Sequence, residues 1–174
     1  MKVLKWLDDN FEVVFLVVLS SIMVAVIFLQ VFMRYVMHNS LAWSEELARY
    51  CFIWLIYFGI SYGVKKQRHI SVDAALLLFK DKGKLIMTMI SNLLFLAFAI
   101  FVIVYGFDMS QKLLAWGQKS PANHIPMGLV YLAAPVGMTL TAIRLIQNLI
   151  AQIKTLQGKG NFKVMNELDH INED

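Results

Sequence analysis

Four stretches without a single Asp, Glu, Lys or Arg dominate this chain: Val13–Met33, Tyr50–Val64, Leu85–Phe107 and Ile125–Ile143, of 21, 15, 23 and 19 residues. Three of them approach or pass the roughly 20 residues with which a helix crosses a hydrocarbon core of about 30 Å. With 59% apolar side chains, only 16% charged ones and a mean hydropathy of +0.61, the 174-residue chain lies outside the range of a water-soluble domain. An all-α integral membrane protein is therefore expected, with four transmembrane helices at about 13–36, 41–64, 85–109 and 125–153.

Span 1 is too long for a cleaved signal peptide, and Arg34, Tyr35, Val36 and Met37 behind it give no small-residue cleavage pattern, so it reads as a retained anchor. Span 2 is more constrained. Its charge-free part covers only about 22 Å, so it must recruit Leu41 to Arg49 and with them Glu45, Glu46 and Arg49. Such charges cost roughly 2.5–3.5 kcal/mol each at the bilayer centre, which places them near an interface or against protein. Asn39 or Ser40 is the expected cap of this helix. Span 4 contains Pro135 and Gly137, which predicts a packed and bent helix.

Ile70 to Phe79 is apolar but too short to cross, and is expected as a short amphipathic helix on the cytoplasmic membrane surface at about 70–79. Lys65, Lys66 and Arg68 before it and Lys80, Lys82 and Lys84 after it suit anionic phospholipid headgroups. Residues 1–156 then form the membrane domain, and 157–174, with Gly158, Gly160 and mixed charges, form a solvated cytoplasmic tail.

Orientation follows from Lys and Arg. Twelve of the sixteen fall before span 1, between spans 2 and 3, or from Arg144 onward; Arg34, Arg49, Lys112 and Lys119 make up the other side. Both termini are thus expected in the cytoplasm. Cations scattered in this way form no basic face for nucleic acid. A single cysteine, Cys51, excludes a disulfide framework. No internal repeat supports an inverted-repeat transporter within one chain.

Gly59-Ile60-Ser61-Tyr62-Gly63 matches the G-x-S-x-G expression of a hydrolase nucleophile. That elbow requires a strand, a turn and a helix, whereas these residues lie within a span, where Gly59 and Gly63 at i and i+4 fit helix-to-helix packing. Glu45 and Glu46 point about 100° apart on a helix and cannot readily share one substrate atom. Glu45 and Arg49, at i and i+4, make the better pair. His69 and Asp73 share that spacing, but nearby residues offer no further metal ligands. All four histidines lie outside the apolar windows, which argues against haem between spans. Trp43 suits the interfacial belt. Two prolines, Pro121 and Pro126, fix an extended approach to span 4 and leave Asn123 and His124 facing outward, a rigid segment suited to docking.

Taken together, these residues resemble the small membrane subunit of tripartite ATP-independent periplasmic (TRAP) transporters, from about Phe28 to Gly137. The resemblance is carried by Arg34-Tyr35-Val36, Trp43-Ser44-Glu45-Glu46-Leu47-Ala48-Arg49, His69-Ile70-Ser71-Val72-Asp73, Ser120-Pro121-Ala122, Ile125-Pro126, Tyr131 and Pro135-Val136-Gly137. Asn123 and Gly128 replace the leucine and tryptophan that the family often shows. The resemblance implies a non-enzymatic scaffold subunit in the bacterial inner membrane. Its implied partners are a large transport subunit and a periplasmic substrate-binding protein that delivers an organic acid, with uptake driven by sodium. Because the chain stops after an acidic tail, Glu167 to Asp174, the large subunit is expected as a separate chain. Among subfamilies it looks most like those handling sialic acid. Trp43, Glu45, Glu46, Arg49, Gly59 and Gly63 are the residues expected to contact the large subunit, and Pro121, Asn123, His124 and Pro126 those expected to dock the binding protein.

Two other readings compete. A self-contained small multidrug-type exporter needs a membrane-embedded carboxylate, yet span 1 offers only Gln30 and spans 3 and 4 carry none in their cores. A membrane redox anchor is weakened by the lone cysteine and by the placement of the histidines. No cofactor or metal is expected.

Overall fold

The computed structural model describes residues 2–66 and 81–157, with side chains over 10–66 and 83–157. Among the described residues five helices follow one another: α1 (Lys2–Tyr35), α2 (Ala42–Lys65), α3 (Asp81–Ala115), α4 (Met127–Tyr131) and α5 (Ala133–Leu156). Four segments of the described residues are long and apolar enough to cross a membrane, Asn10–Tyr35, Ala42–Lys65, Gly83–Ala115 and Met127–Leu156. Among the described residues the only β-type pairing is an isolated bridge between Lys119 and Pro126. The surface helix expected at about 70–79 and the tail beyond residue 157 lie outside the described residues.

The helices stand in an open row, α1–α2–α5–α3, because the main packing joins α1 to α2, α2 to α5 and α5 to α3, with α4 tucked against α3. Burial follows this order. The inner pair α2 and α5 supplies most of the buried side chains, whereas Val24, Phe28, Leu94, Val104 and Tyr105 on α1 and α3 are exposed. In water such faces would aggregate; in lipid they are the ordinary surface of a spanning helix.

Close approach in the row depends on small residues and rings. At the α1–α2 seam Phe15 stacks on Phe58 with ring centroids 5.0 Å apart, and Phe58 lies 5.9 Å from Trp54. Where α5 crosses α2, a Cβ on Gly137 would lie 2.5 Å from Tyr57 Cβ, so only glycine allows the helices this near.

Helix ends follow from local chemistry. Gly117 ends α3 in a Schellman motif: at φ +64° its N–H donates to Leu114 O at 3.1 Å, and Gln118 N–H donates to Leu113 O at 3.3 Å. Span 4 splits at Leu132, between α4 and α5. The cause is Pro135, which has no N–H to give the Tyr131 carbonyl four residues back. The cap expected at Asn39 or Ser40 is corrected. The N-cap of α2 is Leu41, and no side chain accepts there. Asn39 is committed to closing α1 through its N–H to Met33 O at 3.0 Å, and Ser44 Oγ folds back to donate to Leu41 O at 2.7 Å.

Candidate functional site

The segment between α3 and α4 is a tight loop held by its own backbone. Ser120 N–H donates to Ile125 O at 2.9 Å, Met127 N–H to Gln118 O at 2.9 Å, and Ile125 N–H to Ser120 Oγ at 3.1 Å. Ser120 is buried, and His124 takes a positive φ of 54° at the tip.

Glu46, from the second turn of α2, anchors this loop. Its Oε2 accepts from Ala122 N–H at 3.0 Å, Asn123 N–H at 2.7 Å and Asn123 Nδ2 at 3.1 Å, while Oε1 accepts from Tyr50 OH at 2.6 Å. Asn123 Nδ2 also donates to Trp43 O at 2.9 Å. One nearly buried carboxylate thus joins residues 76 and 77 positions apart in the chain through neutral donors. Charge-assisted bonds of this kind are roughly twice as strong as neutral ones. The hydroxyl of Tyr50 lies 3.5 Å from Met127 Sδ too, so the same tyrosine touches α4.

Behind the loop, Ser110 Oγ donates to Gly128 O at 2.7 Å, and a Cβ on Gly128 would clash with Leu114 Cγ and with the Ser110 carbonyl. The two departures noted in the sequence therefore have structural consequences. Asn123 supplies side-chain donors that leucine lacks, and a tryptophan at Gly128 could not fit against α3.

Adjacent in sequence, Glu45 and Glu46 do different work. Glu45 and Arg49 form the expected i, i+4 pair at 3.2 Å, with both side chains more than half exposed, at 62% and 65%. Arg49 lies at the edge of a cleft of about 630 Å³ that runs along α2, α4 and α5 between Glu46, Tyr50, Ile53, Tyr57, Lys119 and Tyr131. Trp43, Pro121, His124 and Pro126 are exposed, and Asn123 is half-buried. A Cβ placed on Gly59 would lie 3.9 Å from the Leu16 side chain of α1, and nothing comes within 4 Å of a Cβ placed on Gly63. Ser61, the serine of the G-x-S-x-G pattern, is buried within the continuous helix α2 near its C-terminal end and donates to Glu12 at 2.8 Å, so no nucleophile elbow exists. Lys65 Nζ turns to Glu12 at 3.5 Å, whereas Lys66 is exposed and Lys84 half-buried. Arg68, Lys80 and the Lys82 side chain lie outside the described residues.

Reading the sequence missed the cluster around Glu12 at the opposite end of the row, where Arg144 Nε meets its Oε1 at 3.0 Å. A signal was present. Glu12 is the charge immediately before the first window and Arg144 the one immediately after the last.

Set beside known families, residues 23–155 match the one described as tripartite ATP-independent periplasmic transporters, DctQ component. The chain belongs to this family. Three relatives agree with that DctQ membership. The isethionate TRAP transporter permease protein DctMQ of Oleidesulfovibrio alaskensis is 34% identical over 87% of this chain. A protein of Haemophilus influenzae described as a TRAP transporter small permease is 32% identical, covering 78% of this chain and 81% of its own. The sialic acid TRAP transporter small permease protein SiaQ of Vibrio cholerae is 23% identical over 91% of this chain and 90% of its own. The chain spans only about a quarter of the first of these, 25% of its length. As a DctQ component it is a small permease subunit of a membrane transporter, and not an enzyme.

Proposed function

We propose that this DctQ component is the scaffold subunit of a sodium-driven importer of an organic acid in the bacterial inner membrane, with both termini cytoplasmic. The observation that carries this reading is the end of the row at Glu46. A loop fixed by one carboxylate there stands beside an exposed ion pair and an open cleft. Such a surface offers shape and charge to other proteins and holds no constellation of groups for chemistry of its own.

The large transport subunit is the proposed neighbour on the side of Trp43, Glu45, Arg49 and Gly63. Gly63 leaves room for a second helix to approach closely, and an exposed pair at membrane depth gains most when protein covers it. Glu46 serves this surface from within, since its acceptors are already spent on the loop. Beyond it, Pro121, His124 and Pro126 are proposed to meet the periplasmic binding protein, with Asn123 holding the loop in shape. Lys66, Arg68, Lys80, Lys82 and Lys84 are proposed to rest on anionic phospholipid.

The named relatives transport isethionate in one case and sialic acid in another, and what these share is a small organic anion. Sialic acid is the narrower proposal, supported by the relative that matches along nearly the whole chain. Purification in mild detergent with mass spectrometry of the co-purifying proteins tests the assembly. Arg49→Ala should lower recovery of the large subunit several-fold while the chain itself stays in the membrane. Unchanged recovery, with unchanged uptake, would remove Arg49 from the interface.

A further inference from the structure

Among the described side chains of α1, only one is buried, and it is a carboxylate: Glu12, at 1% exposure. Its Oε1 accepts from Ser61 Oγ of α2 at 2.8 Å and from Arg144 Nε of α5 at 3.0 Å, and its Oε2 faces Lys65 Nζ at 3.5 Å. Arg144 is held in turn by Gln147, whose Oε1 accepts from Nη1 at 3.1 Å.

Arg144 begins a row along α5. Four residues on, Asn148 Nδ2 donates to Val64 O of α2 at 3.1 Å; four further, Gln152 Oε1 accepts from Asn92 Nδ2 of α3 at 3.2 Å. Positions i, i+4 and i+8 share one face that drifts slowly around the helix. Three successive members therefore reach three different helices, α1, α2 and α3.

In lipid the apolar surfaces of α1 and α3 gain little by meeting another helix instead of acyl chains, so polar links carry more of the placement. The α1–α2 seam of rings and Leu16 could slide by one helical turn, about 5.4 Å, with small loss of packing. Glu12 resists such a slide, because in either direction its carboxylate would part from Ser61, Arg144 and Lys65, and toward the membrane centre it would enter hydrocarbon.

We propose that the polar row Arg144–Asn148–Gln152 is the keystone that seats the outer helices on the α2–α5 pair, with Glu12–Arg144 as the link that fixes the register of α1. The family match begins at residue 23, so Glu12 lies before it. The device is independent of the partner contacts proposed above, being formed entirely within the chain at the other end of the row.

The test uses the full-length chain in its native membrane with Cys51→Ser and a reporter pair, Leu16→Cys with Gly59→Cys, chosen because a Cβ on Gly59 lies 3.9 Å from the Leu16 side chain. The rate of oxidant-driven disulfide formation reads the α1–α2 register. Glu12→Leu and Arg144→Leu, each alone, should slow it about fivefold or more, since each removes one member of a buried ion pair and leaves the other poorly compensated, Arg144 on Gln147 or Glu12 on Lys65 at 3.5 Å. The double variant Glu12→Leu with Arg144→Leu should recover to within about twofold of the parent, because removing both members of a buried pair is often neutral. Lys65, at the end of α2, can then extend to the interface. If a single variant does not accumulate in the membrane, accumulation becomes the readout, and recovery in the double variant supports the link. Single variants at the parent rate, or a double variant no better than the worse single, would overturn it.

Discussion

At the scale of the residue, Glu46 shows how a charge is tolerated at the end of a spanning helix. Its carboxylate takes two backbone N–H groups, a side-chain amide and a phenol, so it is satisfied without leaving the protein. Removing it strands the N–H groups of Ala122 and Asn123, at a cost of about 1–3 kcal/mol for each donor left without an acceptor. Glu46→Ala should therefore loosen the loop far more than Asn123→Leu, which keeps both backbone donors and loses only the bonds of Nδ2, at about 1 kcal/mol each. Amide hydrogen exchange over 118–126 in detergent measures this. Fast exchange in Glu46→Ala and intermediate exchange in Asn123→Leu is the expected order, and equal rates would show that the loop holds itself. Glu45, one residue away, has no such bonds within the loop, and that difference could not be read from the sequence. Both carboxylates precede the same apolar window, and only the position of a loop about 76 residues later distinguishes them.

At the scale of the element, the four spans were legible because charge-free length is a strong and local signal, and Pro135 marked the break in span 4 before its partner helices were known. The start of α2 was less legible. Asn39 resembles a cap by residue type, but the turn after α1 uses its backbone and moves the cap to Leu41. Helix neighbours were not legible at all. Nothing in the sequence says that Gly137 faces Tyr57 while Gly63 faces open space, since both are glycines within apolar spans. Pro121 and Pro126 by themselves predict a rigid loop; the structure adds the Ser120–Ile125 bonds and Glu46. Each proline restrains the free loop by roughly 0.4–1 kcal/mol of chain entropy relative to glycine. If the loop docks a binding protein, Pro121→Gly with Pro126→Gly should raise the entropy lost on docking and weaken it about threefold to thirtyfold. Uptake assayed across binding-protein concentrations should slow where that protein is limiting and recover where it is in excess. A uniform loss at all concentrations would instead point to damaged assembly.

At the scale of the whole molecule, the row has two polar ends of different character. One carries the Glu46 loop and the exposed Glu45–Arg49 and Lys112–Asp108 pairs; the other gathers Lys65 and Arg144 on Glu12. Orientation in a bilayer is set by Lys and Arg near the span ends, with acidic residues contributing little, so the pairing at either end does not cancel the bias. In the proposed orientation, which the count of twelve cations against four supports, the Glu12 end lies in the cytoplasm and the Glu46 loop outside. Burial of Arg144 does not weaken this, because orientation is decided as each span inserts, whereas the contact with Glu12 needs α1 and α5 both in place. In a Cys51→Ser background, Lys119→Cys in the loop should react with an impermeant maleimide in intact cells, and Gln157→Cys should react only after permeabilisation. Both positions are exposed, so a failure to label reports the membrane and not burial. Labelling of Gln157→Cys in intact cells would reverse the orientation. The loop would then face the cytoplasm, and the proposed docking of a periplasmic protein there would fall with it. The Glu12 link would stand, since it depends only on which helices touch.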